Sequence, residues 1–191
     1  ERVVVAEDLS AHAEASAEEA LWRVLARLQS ALPALERRSV AGEEIGAWRD
    51  AFRIVQGFEI QSTLLPFIRS HKVNLGPGIK ERFDMAAAIT PAEAEAARAL
   101  RAKIAGQLDA LVSPGTIVIL PTTPTLPPER GIPDGASFAE FRKQTLGHTC
   151  LAGHAGLPQI SLPATEAAGC PIGLSMIGWR NGDEALLDLA V

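Results

Sequence analysis

The chain has 191 residues, of which 47% are hydrophobic and 21% are charged, and its formal net charge is −5 at pH 7. This composition supplies a buried core, whereas a nucleic-acid surface would need clustered Lys and Arg, and the basic residues here are interspersed with acids. No apolar run approaches the length of a membrane span, so we expect a soluble globular protein with neither nucleic-acid nor membrane partners.

The first forty residues alternate between strand and helix patterns. β-branched and apolar residues predict strands at residues 2–6 and 35–40. Between them, apolar residues at helical spacing predict a helix over residues 17–32, which Pro33 ends. The order strand, helix, strand indicates an α/β layer architecture.

The start of this first helix has a capping signature. Ser16 with Glu19 three residues later predicts a capping box. Residues 7–10, between the strand and this helix, are predicted to form a turn.

Residues 43–71 carry a second helical pattern, which Pro66 is expected to kink or end. Trp48, Phe52, Val55 and Phe58 recur on or near one face. Burial in the core is the favoured interpretation of these side chains, ahead of an aromatic ligand cage.

Turn-forming and helix-capping residues mark the boundaries of the next elements. Residues 74–78 contain two glycines around a proline and predict a tight turn, without the Lys-Ser/Thr that would follow in a phosphate loop. Thr90-Pro91-Ala92-Glu93 is a capping box with proline at the first helical position, so it predicts a helix from there to about Leu111.

An apolar, β-branched run at residues 116–120 predicts a buried strand. Its carboxyl end leads into residues 121–124, with the sequence PTTP, and ligands of open α/β sheets collect at such ends. This loop is therefore a candidate pocket wall. The Pro- and Gly-rich residues 127–135 predict a surface loop.

The last third of the chain predicts a helix, two strands and a final helix. Ser137 with Glu140 is expected to cap a helix over residues 138–151. Apolar runs at residues 159–162 and 172–177, joined by a turn over residues 165–169, predict a hairpin or neighbouring strands. Acids after Gly182 predict a helix start.

Three blocks in this region occur in a characteristic order. Asp109-Ala110-Leu111 precedes LPTTP at residues 120–124; GLPQISLP then occupies residues 156–163, and PIGLSMIG residues 171–178. Together these blocks resemble the C-terminal part of the amidase signature family, serine hydrolases that cleave carboxamide C–N bonds.

The resemblance implies an α/β fold with a mixed β-sheet flanked by helices, in which residues 1–191 form the C-terminal portion of an amidase-signature domain and are not divided into separate domains. It also implies catalysis by a Ser, a cis-configured Ser and a Lys, with a Gly/Ser-rich signature that this sequence does not contain. We therefore expect the C-terminal portion of an amidase with no catalytic residue of its own, and an isolated chain without activity. The expected partners are an amide substrate, the N-terminal half of the amidase domain and, as an open possibility, a second copy of the chain.

In such an enzyme the C-terminal half is expected to help line the substrate pocket. The resemblance points to four substrate-binding candidates: Thr122, Thr123, Thr149 and His154. A packing role is the favoured interpretation of each. The chain departs from the family pattern at Gly153, where an Asn is usual, three residues before the Gly of GLP.

Other chemistry was weighed against simple packing. Cys150 and His154 are four residues apart, on one helical face, and could form a nucleophile pair, but apolar neighbours would raise the thiol pKa. Ser161 and Ser175 lie within strands, away from any GxSxG elbow.

Cys150 and Cys170 are the only cysteines, and no Cys/His spacing suggests zinc. We expect reduced thiols in a cytoplasmic protein, with no metal and no organic cofactor. The first residues show neither an initiating Met nor a signal-peptide pattern, which is the expectation for an internal start.

A second hypothesis belongs to a different functional class. The chain could be a non-catalytic binding module that keeps the fold of an amidase half and uses an exposed sheet edge for a partner.

Overall fold

Five strands form one mixed sheet in the computed structural model, which describes residues 2–76, 78–129 and 136–190. The strands are β1 Arg2–Ala6, β2 Leu35–Arg38, β3 Thr116–Pro121, β4 Gln159–Ala167 and β5 Cys170–Ile177. The helices are α1 Glu7–Ala11, α2 Ala15–Leu28, α3 Ile45–Thr63, α4 Leu65–Ser70, α5 Ile79–Ala88, α6 Pro91–Leu111, α7 Ala136–Ala155 and α8 Asp183–Leu189. A short 3-10 turn, Gly42–Glu44, precedes α3.

The strands are ordered β2-β1-β3-β5-β4 across the sheet. β1 runs parallel to both β2 and β3, whereas β5 pairs antiparallel with β3 and with β4. The GLPQISLP and PIGLSMIG blocks are thus neighbours beside the loop that follows β3: residues 159–163 pair with residues 173–177 in the sheet, and the Pro158 carbonyl accepts from the Gly178 N–H at 3.0 Å. The predicted α/β fold with a mixed sheet and flanking helices is confirmed.

Alternate side chains of the central strands enter two separate cores, as the period of two in a strand requires. Val4, Val118 and Ile177 pack against α3, α6 and α7. Val5 and Met176 pack on the opposite face, against α2 and α8. Because helices cover both faces, all six residues of β3 are buried, which explains its continuous apolar sequence.

The first strand turns directly into α1, so the turn predicted at residues 7–10 is wrong. The Ser10 hydroxyl donates to the Ala6 carbonyl at 2.9 Å. The Asp8 carboxylate accepts three backbone N–H bonds, from Val40 at 3.0 Å, Ala41 at 2.8 Å and Gly42 at 2.6 Å. These bonds bend the chain away after Arg38, which is why β2 ends there and not at residue 40.

The start of α2 also differs from its prediction. The helix begins at Ala15 without a side-chain cap, so Ser16 does not cap it. Instead, the backbone N–H of Glu14 donates to the Pro124 carbonyl at 2.6 Å, and its carboxylate accepts from the Leu126 N–H at 3.3 Å. The helix ends at Leu28, four residues earlier than predicted. A turn follows, in which the backbone N–H groups of Ala31 and Leu32 donate to the Leu28 carbonyl.

The helical pattern of residues 43–71 resolves into α3 and α4. Pro66 lies in the first turn of α4, where a missing N–H is tolerated. Trp48 is 1% exposed and Val55 is buried, and Phe52 packs against the core beside them. The core interpretation therefore holds for these residues, whereas Phe58 is only half-buried, beneath the Arg98 guanidinium.

The capping box of α6 is confirmed. The Thr90 hydroxyl accepts from the Glu93 N–H at 3.3 Å, and the Glu93 carboxylate accepts from the Thr90 N–H at 2.8 Å. The helix ends at Leu111, as predicted. The preceding helix α5 had no prediction, and its N-cap Gly78 has φ 77°, in agreement with a turn there.

The predicted helix over residues 138–151 is longer at both ends, since α7 spans Ala136–Ala155. The predicted cap at Ser137 and part of the 127–135 loop lie outside the residues and side chains that the structure describes, as do Pro77 of the tight turn and Val191.

The hairpin of β4 and β5 is confirmed, with longer strands than predicted. β4 continues through Pro163 to Ala167, and its register shifts between Pro163 and Thr165. Among the described residues β4 pairs only with β5, and proline is tolerated on such an edge strand. The turn is reduced to Ala168 and Gly169, with φ values of 50° and 75°.

Replacing Asp8 tests the contact that joins β1 to residues 40–42. Asp8→Ala leaves three N–H groups without their acceptor, so we expect the free energy of unfolding to fall by about 1–3 kcal/mol in urea titrations. Asp8→Asn, which keeps the shape and one acceptor oxygen, should lose less. Equal stability of all three proteins would contradict this role.

The same contact predicts a pH dependence. Burial raises the pKa of Asp8, but the bonds from Val40, Gly42 and Ala41 outweigh it, so the pKa is lowered overall. The stabilisation is therefore fully present above the pKa of an unfolded Asp, about 3.9, and is lost as the pH falls below it. The stability curves of the wild type and Asp8→Ala should converge in acid.

Candidate functional site

A group of neutral polar side chains lies where β3 ends. Thr122 Oγ1 is 2.7 Å from Ser161 Oγ and 3.0 Å from Ser175 Oγ. The Gln159 amide nitrogen donates to Ser175 Oγ at 3.0 Å. We call Thr122, Gln159, Ser161 and Ser175 the hydroxyl cluster.

The sheet register positions this cluster. Ser161 on β4 and Ser175 on β5 are direct partners in the antiparallel pair, so their side chains leave the same face. The Thr122 N–H donates to the Gly173 carbonyl at 2.9 Å, which fixes the first residue after β3 against β5.

Gly173 makes room for the cluster. A Cβ atom at this position would lie 2.7 Å from Thr122 Oγ1 and 2.9 Å from Ser161 Oγ, inside normal contact distance. A glycine is therefore required for the three hydroxyl groups to meet.

The four predicted substrate-binding residues occupy different surroundings. Thr122 belongs to the cluster, and Thr123 donates to the Thr125 carbonyl at 3.2 Å within the same loop. Thr149 donates to the Thr145 carbonyl at 3.0 Å inside α7. Each hydroxyl thus has an intramolecular partner, and a direct contact with substrate remains a prediction.

His154 is a core residue that joins α7 to α3. It is 3% exposed, its Nε2–H donates to the Trp48 carbonyl at 2.9 Å, and the Phe52 ring packs edge-on with centroids 5.3 Å apart. Its Nδ1 is buried and has no hydrogen-bond partner. Burial lowers the pKa of His154, so the ring is neutral at pH 7.

His148, which sequence reasoning did not select, holds the exit of β3. Its Nδ1–H donates to the Pro121 carbonyl at 3.1 Å, and burial lowers its pKa. His154 is six residues further along α7, about 9 Å by helical rise, so the structure brings His148 and not His154 to the β3 exit. Only the residue type could have pointed to His148, because the contact spans 27 positions.

Ser161 and Ser175 were considered in the sequence only as possible nucleophiles, and Gln159 was not considered as a site residue. Among the hydrogen bonds of the described residues, neither Ser161 nor Ser175 has a His or Lys nitrogen as a partner. An activated serine needs such a base, so the cluster is suited to binding and not to nucleophilic attack. Its assembly could be found only from the strand register.

Cys150 does not form a nucleophile pair with His154. Burial raises the pKa of the Cys150 thiol to about 12, and Sγ contacts the Gly147 carbonyl at 3.5 Å. The thiol form therefore prevails at neutral pH, in agreement with a packing role. Both cysteines are free.

Gly153 has a packing explanation. A Cβ atom there would lie 2.6 Å from Phe52 Cε2, so the Phe52 ring occupies the space that a side chain would need. The Asn that the family pattern has at this position does not fit beside Phe52.

Across residues 2–76, 78–129 and 136–190, no group of three His, Cys, Asp or Glu side chains could hold a metal ion. In the same ranges, no helix combines the length and the apolar character that crossing a membrane requires.

Comparison with known proteins gives consistent matches over nearly the whole chain. A sequence model of the family described as Amidase matches residues 13–187. Amidase 1 of Oryza sativa subsp. japonica is 29% identical over 162 residues, which cover 84% of this chain and 35% of that protein. Amidase 1 of Arabidopsis thaliana is 26% identical over 143 residues, which cover 75% of this chain and 33% of that protein. The chain thus spans about a third of the length of these two plant relatives.

Solved structures share the fold. A crystal structure of an amidase superposes with a TM-score of 0.80 at 20% identity and covers 99% of this chain and 44% of that chain. A 6-aminohexanoate cyclic dimer hydrolase superposes with a TM-score of 0.72 at 19% identity and covers 99% and 43%. At these identities the likeness concerns the fold alone.

A substitution at Gly153 tests its packing against Phe52. Gly153→Ala should destabilise the protein, because overpacking costs about 1–3 kcal/mol and exceeds the ~1 kcal/mol gained from helix propensity. In a Phe52→Leu background the same change should be neutral or stabilising, which a double-mutant cycle in urea would measure.

Gly106 on α6 is the matched control. A Cβ atom there meets nothing within 4 Å, so Gly106→Ala should stabilise the helix by up to about 1 kcal/mol. A stabilising Gly153→Ala in the wild-type background would contradict the interpretation.

The buried histidines predict a loss of stability in mild acid. Burial lowers the pKa of His148 and His154 below that of an unfolded histidine, about 6.5, so the unfolded state binds more protons as the pH falls through this value. The free energy of unfolding should therefore decrease from about pH 7 to about pH 5. His154→Gln should reduce this slope, and an unchanged slope would show that His154 does not carry it.

Proposed function

Because the chain belongs to the amidase family, we propose that it is the C-terminal part of an enzyme that hydrolyses carboxamide C–N bonds. The arrangement of its three family blocks is the observation that carries this proposal. Residues 159–163 of the GLPQISLP block lie in β4, residues 171–177 of the PIGLSMIG block lie in β5, and the LPTTP block ends β3 and forms the loop after it. Residues 161–163 of β4 and 173–175 of β5 lie beside this loop, at the carboxyl end of β3, where α/β proteins bind ligands.

The proposed mechanism uses a Ser, a cis-configured Ser and a Lys that lie outside this chain. The first serine attacks the amide carbonyl while its proton passes through the second serine and the lysine to the leaving amine. The acyl-enzyme that forms is then hydrolysed by water. Two observations support an external centre: the sequence has no Gly/Ser-rich signature, and among the described residues no His or Lys nitrogen is hydrogen-bonded to any member of the hydroxyl cluster.

The chain's own role in this proposal is to form one wall of the substrate pocket. Thr122 and Thr123 lie on the loop after β3, and Thr149 follows the histidine that holds this loop. His154 is almost completely buried, so we assign it an indirect effect through the Trp48 carbonyl that it binds. No cofactor or metal takes part.

The proposed partners are the amide substrate and the N-terminal half of the amidase domain. Within the described residues β2 and β4 each have one unpaired edge, where further strands could add. The proposal includes self-association of the chain, for which exposed apolar residues such as Phe67 and Met85 offer contacts. It also includes a cytoplasmic location, in agreement with the two free thiols.

The open edges also favour the second candidate, a non-catalytic binding module. The open reading frame distinguishes the two: an upstream Gly/Ser-rich signature in the same frame supports the enzyme, and a start codon near Glu1 supports the module.

We expect the purified 191-residue chain to release no ammonia from aliphatic or aromatic primary amides. The complete product of the open reading frame should release it from at least one of them. Turnover by the isolated chain that is abolished by replacing one of its own residues would overturn the external catalytic centre. Inactivity of the complete product on all amides would contradict amide hydrolysis itself.

A further inference from the structure

The hydroxyl cluster is a continuous line of hydrogen bonds from a half-buried amide, through a buried hydroxyl, to an exposed hydroxyl. It runs from the Gln159 amide to Ser175, then to Thr122 and finally to Ser161. Ser175 is 0% exposed, whereas Ser161 is exposed. All of these groups are neutral, so the line carries no net charge to the surface.

The direction of the bonds follows from counting donors and acceptors. Ser175 accepts from the Gln159 N–H, and its own buried hydroxyl proton needs an acceptor, because an unpaired donor would cost about 1–3 kcal/mol. Among the described residues the acceptor within reach is Thr122 Oγ1, at 3.0 Å.

The remaining step follows the same rule. Thr122 Oγ1 accepts from Ser175, and among the hydrogen bonds of the described residues the acceptor for the Thr122 proton is Ser161 Oγ, at 2.7 Å. Ser161 accepts that bond, and its own proton is directed away from the cluster. Bonds that run in one direction polarise one another, which strengthens the donor at the end of the line.

We propose that the Ser161 hydroxyl is a binding group that donates to a neutral oxygen acceptor, such as an ether, hydroxyl or carbonyl oxygen, in the substrate of the proposed amidase. This inference rests on the proposed function and adds a substrate feature to it. A neutral acceptor fits because none of the four cluster residues supplies the cation that a buried carboxylate would need.

Gln159 sets the polarity of the line. An amide nitrogen can donate to Ser175, whereas a carboxylate can only accept from it. Gln159→Glu should therefore reverse every bond, so that Ser161 donates inward to Thr122 and presents only lone pairs to the ligand. Gln159→Met, which fills similar space without a hydrogen bond, separates reversal from simple loss.

The test compares matched substrates with the complete product of the open reading frame. Butyramide is compared with methoxyacetamide, in which an ether oxygen replaces one methylene group, and the longer homologues are compared in the same way. In at least one pair the ether should be hydrolysed with a kcat/KM about three- to tenfold higher, the effect of one neutral hydrogen bond.

The variants then assign this preference. Ser161→Ala should bring the ratio within each pair to about one, and Gln159→Glu should abolish or invert it, with Gln159→Met between Gln159→Glu and the wild type. Ser62→Ala, at an exposed serine on α3, is the matched control and should leave the ratio unchanged.

The outcomes separate the two proposals. An active enzyme with no oxygen preference in any pair, or with a preference that Ser161→Ala leaves intact, overturns the role of Ser161 while amide hydrolysis stands. A preference that Gln159→Glu leaves unchanged overturns the assigned direction of the bonds. An enzyme that hydrolyses none of the amides contradicts the proposed function, and the inference falls with it.

Discussion

The burial of β3 on both faces, with a backbone partner on each side, is the constraint on which the rest of the structure depends. Its parallel partner β1 and its antiparallel partner β5 satisfy its N–H and C=O groups. No water reaches the strand, so every one of these bonds is needed. The position of β3 brings the hairpin of β4 and β5 beside the loop that leaves the sheet at Pro121, and so creates the candidate site.

The sequence predicted an element well where neighbouring residues alone determine it. The apolar run of β3 and the capping box at Thr90 are such local patterns, and strand β3 and helix α6 lie where they were predicted. Predictions failed where a distant partner decided the outcome. The helix at Glu7–Ala11 coincides with an Asp8 carboxylate that serves residues 40–42, and the start of α2 is held by a carbonyl more than a hundred positions away.

The candidate site likewise combines a residue that local sequence predicts with contacts that only distant partners determine. Thr122 could be selected because it follows a predicted buried strand, and strand ends are where ligands bind. The neighbours of Thr122 in the cluster are fixed by the register of β4 on β5, which no local pattern encodes. The sequence shows Ser161 and Ser175, but their shared contact with Thr122 depends on the pairing of β4 with β5 and on the space that Gly173 leaves.

The loop after β3 is tied down from three directions. His148 of α7 holds the Pro121 carbonyl, Gly173 of β5 holds the Thr122 N–H, and Glu14 at the start of α2 holds Pro124 and Leu126. The conformational entropy of this loop is therefore lost during folding, so ligand binding does not have to order the loop. In the proposed role of a pocket wall, such a loop would select ligands by fixed shape complementarity, without a closing movement after binding.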